Sequence, residues 1–470
     1  MSVRGGKSRI ELDQRGHYSD LAIDQDGATL LFRRLSGSAL THPDWGNKPG
    51  IYYVEIGSDD IAFVSARGRA PHFGPDGRIY AIERRSSAVG RGSDDAQSQL
   101  ISMNSRGEDI RIHATSPLAS VMMLSPSGQH VAYRETGRLY VSALPPTGKP
   151  VSLSAAKDNS AGGSAFPTER LTPQGGEYIH WSPDGQTISW SIGPEVMSAA
   201  IDNSLGQSAD RAITSIDLSL EQPADQPDGV VAFTNARVIT MNAEREVIEA
   251  ATVVVTNNRI TAVGESSEIS IPDKASVVDL GGKALLPGYV DAHAHGPYSR
   301  DQIIPQNNWS LLAHLALGVT TVHNPSSRAA SVFPAAEYQR AGKILGPRIF
   351  STGEIIYGAK STGFDPIESL DDAKAVVNRL KAQGAISVKN YNQPRRAQRQ
   401  MVIEAARQAG MLVVAEGGSL YHMDMNLVAD GSTGIEHNIP SLKIYNDVID
   451  FWSQTCSSGC PPHSAAEGLH

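Results

Sequence analysis

Cysteine is nearly absent from this chain of 470 residues: Cys456 and Cys460 are its only two, both within the last fifteen positions. A disulfide framework is therefore excluded, and one C-x3-C spacing is weak grounds for a metal site. No apolar run approaches the roughly 18 residues that a bilayer-spanning helix needs. Excess positive charge is missing too. The formal net charge is −9, with no basic stripe of the kind nucleic-acid binders carry. The opening "MSVRGGKSRIELD" lacks the apolar core of a secretory signal. The expectation is a soluble, cytoplasmic chain, or a periplasmic one if a leader precedes the given start. Neither membrane nor nucleic acid is an expected partner. No G-x-S-x-G occurs, which weakens a serine-hydrolase reading. No G-x-G-x-x-G follows a strand-like run, which disfavours a dinucleotide fold.

What is present is length enough for about three domains, with 40% hydrophobic residues to fill their cores. The first two hundred residues echo themselves. "DQDGATLLFRR", "GPDGRIYAIER", "SPSGQHVAYRE" and "SPDGQTISWSI" each place a polar turn ending in Gly ahead of a β-rich run. The turn glycines Gly27, Gly77, Gly128 and Gly185 are 50, 51 and 57 residues apart. Gly suits such tight turns because it tolerates positive φ. A period near 50 with several short strands per repeat fits propeller blades, against an ordinary β-sandwich with common hairpins. Residues 1–203 are thus expected to form an all-β propeller, partial or degenerate. Residues 204–229, ending in "EQPADQPDG", read as a connector.

At Val230 the pattern changes to short β-rich runs parted by Asn-Asn and Gly-Gly turns, a small β-sandwich over 230–285. From 286 to 451 strand-like and helix-like runs alternate. Strands are expected at Leu285–His295, 319–326, 347–357, 385–392, 411–418 and 433–438. The stretches "SLDDAKAVVNRLKAQG" and "RRAQRQMVIEAARQAG" are helix-like and end in Gly. Such alternation means a parallel sheet, here an incomplete (β/α)8 TIM-type barrel with about six strands, so the fold class is multidomain.

The stretch "LLPGYVDAHAHGPYSR" puts His293 and His295 one residue apart at the end of a strand, and so on one face of it. In a parallel barrel the C-terminal strand ends carry the site. Lys389, Glu416 and His437 stand at three further strand ends, with Asp291 one pleat below His293 as a supporting group. A lone histidine there is ordinarily a polar contact, a lone lysine a solvated cation, and a lone glutamate a structural carboxylate. Convergence of such groups from four strand ends points instead to a divalent metal held by imidazole and carboxylate, with zinc foremost and manganese, iron or nickel as alternatives. Arg395 and Arg396 open the helix after the fourth strand and are candidates for clamping a substrate carboxylate, against the plain alternative of a solvated turn.

The motif "ALLPGYVDAHAH" is very similar to the strand-1 signature of the metal-dependent amidohydrolases, and "FTNARVITMNAEREVIEAATVVVTNNRITAVG" resembles their N-terminal sandwich segment. The resemblance spans about residues 230–440 and leans to the imidazolonepropionase- and prolidase-like members. The "SPDG" and "GPDG" turns resemble the TolB-type β-propeller over about residues 10–200. The amidohydrolase resemblance implies two metal-binding histidines, His293 and His295, a carboxylated Lys389 on strand 4, and His437 on strand 6. It implies hydrolysis of amide-type C–N bonds in a small molecule or peptide by metal-activated water. Two positions depart from the family pattern. Glu416 stands where strand 5 ordinarily gives a histidine, and the strand-8 aspartate that serves as general base has no counterpart, so no catalytic base is assigned. The 185 residues from Leu286 to His470 also fall short of the roughly 200–250 of a full barrel, and residues 452–470 break in composition from the rest. The expectation is a C-terminally truncated amidohydrolase without turnover. The alternative is a propeller-based scaffold that binds a protein partner beside a degenerate barrel.

Overall fold

A computed structural model describes residues 10–13, 16–35, 48–85, 97–153, 166–202, 205–206, 211–299, 303–359, 363–418 and 420–455. The tail bearing Cys456 and Cys460 lies outside the described residues.

Four antiparallel sheets, each following chain order, make up the N-terminal part. The first runs from Tyr18–Ile23 to Ala62–Ser65, and the second from Arg69–Phe73 to Arg111–Ser116, with Val151–Ser152 added in parallel. The third runs from Ala119–Leu124 to Thr168–Thr172, and the fourth from Glu177–Trp181 to Ile213–Asp217. Gly27, Gly77, Gly128 and Gly185 occupy the same place in all four, the turn between the first and second strands, with φ of 69°, 69°, 73° and 69°. Each closes the turn with its own N–H on the carbonyl three residues back. Asp24 Oδ1, Ser125 Oγ and Ser182 Oγ tie the turn to the following strand by accepting backbone N–H bonds. The second sheet has Gly74 at that position, where a Cβ would stand 2.1 Å from the Tyr80 ring. The sheets pack face to face in succession. Leu31, Ile79 and Ile101 share one apolar cluster, Tyr80, Met122 and Tyr133 a second, and Leu139, Trp181 and Trp190 a third.

The connector is shorter than the sequence suggests. Ile213–Asp217, expected within it, pairs with Glu195–Ala200 as the outer strand of the fourth sheet. All five of its residues are exposed, so no apolar alternation marked it. Farther on, Asp225 is pinned to the parallel half, donating its N–H to Ala341 and pairing with Lys343 at 2.6 Å.

Residues 230–285 form one mixed five-stranded sheet, with Val230–Ile239 central. Beyond it, six parallel strands alternate with helices. Tyr289–Asp291, Val319–Asn324 and Arg348–Ser351 form one sheet. Ser387–Asn390, Leu412–Glu416 and Gly434–Glu436 form another, and an Ile356–Asn390 bridge joins the third strand's exit to the fourth strand. No sheet closes on itself among the described residues. The helices are α1 (Trp309–Ala316), α2 (Ala329–Arg340), α3 (Leu370–Gln383), α4 (Arg396–Ala409), α5 (Tyr421–Ala429) and α6 (Asn446–Thr455). Helix α3 starts in a Ser369–Asp372 capping box and stops at Gly384 with φ 112°, and α4 stops at Gly410 with φ 67°. Both stops use the left-handed conformation glycine adopts freely. Val332, Val377, Leu380, Val388, Val402 and Val413 lie in the core that joins these helices to the strands.

The first parallel strand departs from expectation. Instead of one buried run from Leu285 to His295, Ala284–Leu285 pairs with the mixed sheet and Tyr289–Asp291 with the second parallel strand. Pro287 lies in the break, where a missing N–H cannot serve a ladder. Tyr289 and Val290 are 59% and 66% exposed, so the run is not a core strand. No described helix is long and apolar enough to cross a membrane.

Candidate functional site

Because the first strand stops at Asp291, His293 and His295 sit in the segment just after it. Their common direction therefore comes from a turn rather than from strand pleat. Asp291 Oδ1 accepts the His293 N–H at 3.0 Å, and Ala294 donates its N–H to the His323 carbonyl at 2.9 Å. These bonds fold the segment across the end of the second strand. The two imidazoles meet edge to face with centroids 5.0 Å apart.

His437 comes to the same place from the sixth strand. It follows Glu436 with φ 68°, a conformation unfavourable for a branched-chain position and uncommon for any residue but glycine. That turn brings its ring to 4.9 Å from His293. Lys389 lies on the fourth strand and is 2% exposed, with Nζ 2.8 Å from Glu416 Oε2. Glu416 ends the fifth strand, and its other oxygen is 3.1 Å from His437 Nε2. One carboxylate thus spans the lysine and the histidine. Gly417 is required next: a Cβ there would stand 2.3 Å from Ile435 and 2.8 Å from the Glu436 carbonyl. Its N–H bonds that carbonyl at 3.1 Å, holding the fifth and sixth strand exits together.

The structure therefore brings His293, His295, Lys389, Glu416 and His437 into one cluster. It places Arg395 and Arg396 differently. Arg395 precedes α4, donating its N–H to Gln398 Oε1 at 2.9 Å, while Arg396 pairs with Asp430 at 2.7 Å. Arg399 shares that aspartate. Arg396 is thereby committed to the α4–α5 contact.

Two residues of the cluster escaped the sequence reading. Glu436, 8% exposed, contacts His293 Nδ1 directly. It stood beside His437 in "GIEHN", and nothing in the local sequence set it apart. His323 lies on the second strand, with Nε2 2.8 Å from Ser387 Oγ and Nδ1 3.2 Å from the Ala292 carbonyl. Burial holds the His323 imidazole below the usual histidine range, and burial followed by the neighbouring His293 does the same for His295. Both effects favour neutral imidazole, the form that ligates metals. The donor types suit a divalent ion. In the arrangement present, however, the groups contact one another, and no three His, Cys, Asp or Glu groups among the described residues are disposed to hold an ion.

No family model matches the chain. Over 67 residues it is 42% identical to the imidazolonepropionase of Arthrobacter sp. (strain FB24), covering 14% of this chain and 16% of that protein. Over 63 residues it is 38% identical to the 5-methylthioadenosine/S-adenosylhomocysteine deaminase of Bacillus thuringiensis (strain Al Hakam), covering 13% of this chain and 14% of that one. The chain therefore matches only a small share of either curated relative. Among solved structures, a Xaa-Pro dipeptidase with bound methionine overlaps 48% of this chain and 65% of its own, at 19% identity and a TM-score of 0.38.

Proposed function

We propose that this chain is a metal-dependent hydrolase of the amidohydrolase superfamily that cleaves amide-type C–N bonds in small molecules or peptides. The N-terminal sheets are read as blades of a TolB-like propeller or an arc of one, and the parallel half as an open (β/α) barrel. The carrying observation is the convergence of His293, His295, Lys389, Glu416 and His437 from separate strand exits. The local similarity to an imidazolonepropionase and a deaminase supports the same reading.

His293, His295, His437, Glu416 and a carboxylated Lys389 would hold the ion, zinc foremost, with manganese, iron or nickel as alternatives. When bound, such an ion supplies water of lowered pKa and polarises the carbonyl. The chain's own residues set the rest. Glu436 on His293 Nδ1 fixes that ring's tautomer and leaves Nε2 free as a donor. Glu416, as an acceptor for both Lys389 and His437, orders the opposite side. The overall change consumes one water: a hydroxyl joins the acyl carbon, the C–N bond breaks, and the nitrogen leaves with a proton.

The scaffold reading, a protein-binding propeller beside a degenerate barrel, draws on the absence of a ready metal constellation among the described residues. Metal content and turnover separate the two. Protein produced with zinc or manganese is assayed for bound metal and on N-acyl amino acids, dipeptides and cyclic amides. Bound metal lost in His293→Ala is expected, whereas metal-dependent turnover abolished by that change would overturn the expectation of a chain without turnover. Folded protein that holds no metal under these conditions overturns the proposal.

A further inference from the structure

Between the N-terminal sheets and the parallel half lies a chamber of about 1060 Å³. That is the size of a site for a drug-sized ligand or short peptide. Its walls come mainly from the first and second strands of the four sheets on one side. On the other they come from the exits of the second and third parallel strands, including Arg328, Glu354 and Tyr357.

Its charges do not balance. Asp20 pairs with Arg33 at 3.4 Å, Glu177 with Arg134 at 2.6 Å, and Asp365 with Arg379 at 2.6 Å. Glu354 spends one oxygen on the Ala329 N–H at the start of α2, and burial pushes its carboxyl above the usual range. Three arginines are left over. The side chains of Arg69 and Arg328 make no hydrogen bond or ion pair among the described residues, and that of Arg84 reaches only Ser98 Oγ and the Pro117 carbonyl, each at 3.4 Å. Arg33 Nε is buried without a partner in the same wall. These guanidinium groups come from separate elements and line one cavity, and the fork of guanidinium N–H groups matches a carboxylate.

The chamber wall is tied to the strand that carries Lys389. Ile356 in its wall donates its N–H to the Lys389 carbonyl at 2.9 Å and accepts from the Tyr391 N–H at 3.0 Å. Tyr357 packs edge to face on Tyr391 at 5.8 Å.

We propose that the chamber binds a carboxylate-bearing small molecule through Arg69, Arg84 and Arg328. Its role as the substrate's holding site rests on the hydrolase reading above. The binding does not, so it is tested without turnover. His293→Ala protein and the unaltered chain are titrated calorimetrically with N-acetylglutamate, N-acetylglutamine and N-acetylglutaminamide, a series of near-equal size carrying two, one and no negative charges. Affinity is expected to fall about tenfold per charge lost, to weaken with salt, and to be the same in both proteins. Arg69→Gln/Arg328→Gln is expected to cost the dianion tenfold or more and to leave the neutral ligand unchanged. The salt and charge series on the unaltered chain stand even if that variant fails to fold. Equal affinity across the series, or no binding of the dianion, overturns the proposal. So does a folded double variant that binds the dianion undiminished. Loss of bound metal in His293→Ala with ligand binding retained leaves the chamber standing, whereas absence of bound metal from the unaltered chain with ligand binding retained strikes only the hydrolase reading.

Discussion

Lys389 is 2% exposed, and its Nζ lies 2.8 Å from the Glu416 carboxylate. An uncarboxylated lysine that deep is tolerable only with its counter-charge. Glu416→Ala strands it and is expected to cost about 3–5 kcal/mol. Lys389→Met/Glu416→Leu removes both charges and is expected to cost clearly less. Urea unfolding of both variants checks this, and equal losses would count against a desolvated pair.

Glu436 touches His293 Nδ1. Groups that orient a metal-ligating histidine commonly change affinity about 10–100-fold when removed. Glu436→Gln is therefore expected to lower zinc affinity within that range while leaving the unfolding midpoint of the metal-free protein little changed. Competition with a chromophoric chelator measures it.

His72 is buried in the strand Arg69–Phe73, with Nδ1 3.0 Å from the Ala70 carbonyl and Nε2 accepting the Leu124 N–H at 2.9 Å. Burial pulls its pKa down from 6.5 to about 4. The unfolded chain then binds the proton more readily than the fold, so stability is fully present above pH 6.5 and declines as pH falls toward 4. The loss across that window is roughly 3 kcal/mol. Denaturant unfolding between pH 7.5 and 4.5 follows it, and His72→Asn is expected to flatten this part of the slope.

Gly74→Ser would copy the residue found at the equivalent turns of the third and fourth sheets. It is nonetheless expected to destabilise by about 1–3 kcal/mol, because the added Cβ meets the Tyr80 ring at 2.1 Å. Tyr80→Ala should relieve the clash at its own cavity cost, so the two changes are non-additive in a double-mutant cycle of unfolding free energies.

The helices α3 and α4 were legible because capping residues and terminal glycines punctuate apolar spacing, and the six parallel strands because short β-rich runs alternate with them. The repeat glycines were legible because positive φ admits few other residues. What escaped depends on burial, which local pattern records poorly. Ile213–Asp217 is a strand with every residue exposed, and its signal is backbone pairing alone. The run to His293 reads as a core strand by composition, yet Tyr289 and Val290 face out. His437 was visible as a candidate while Glu436, one residue earlier, was not. Only the fold shows that the carboxylate reaches across to the first strand's exit.

Asp372 in α3 holds two appointments at once. Its Oδ2 takes the Ser369 N–H at 3.0 Å and the Ser369 hydroxyl at 2.9 Å, closing the capping box, while its Oδ1 meets Arg138 from the third sheet. Fraying of the α3 start therefore releases a grip on the N-terminal sheets, and loosening of the third sheet strips a partner from the helix cap. The two halves share a hinge pin rather than a mere border. Amide hydrogens in the first turn of α3 are consequently expected to exchange with the slower kinetics of the third sheet, and Arg138→Ala to set them free of it.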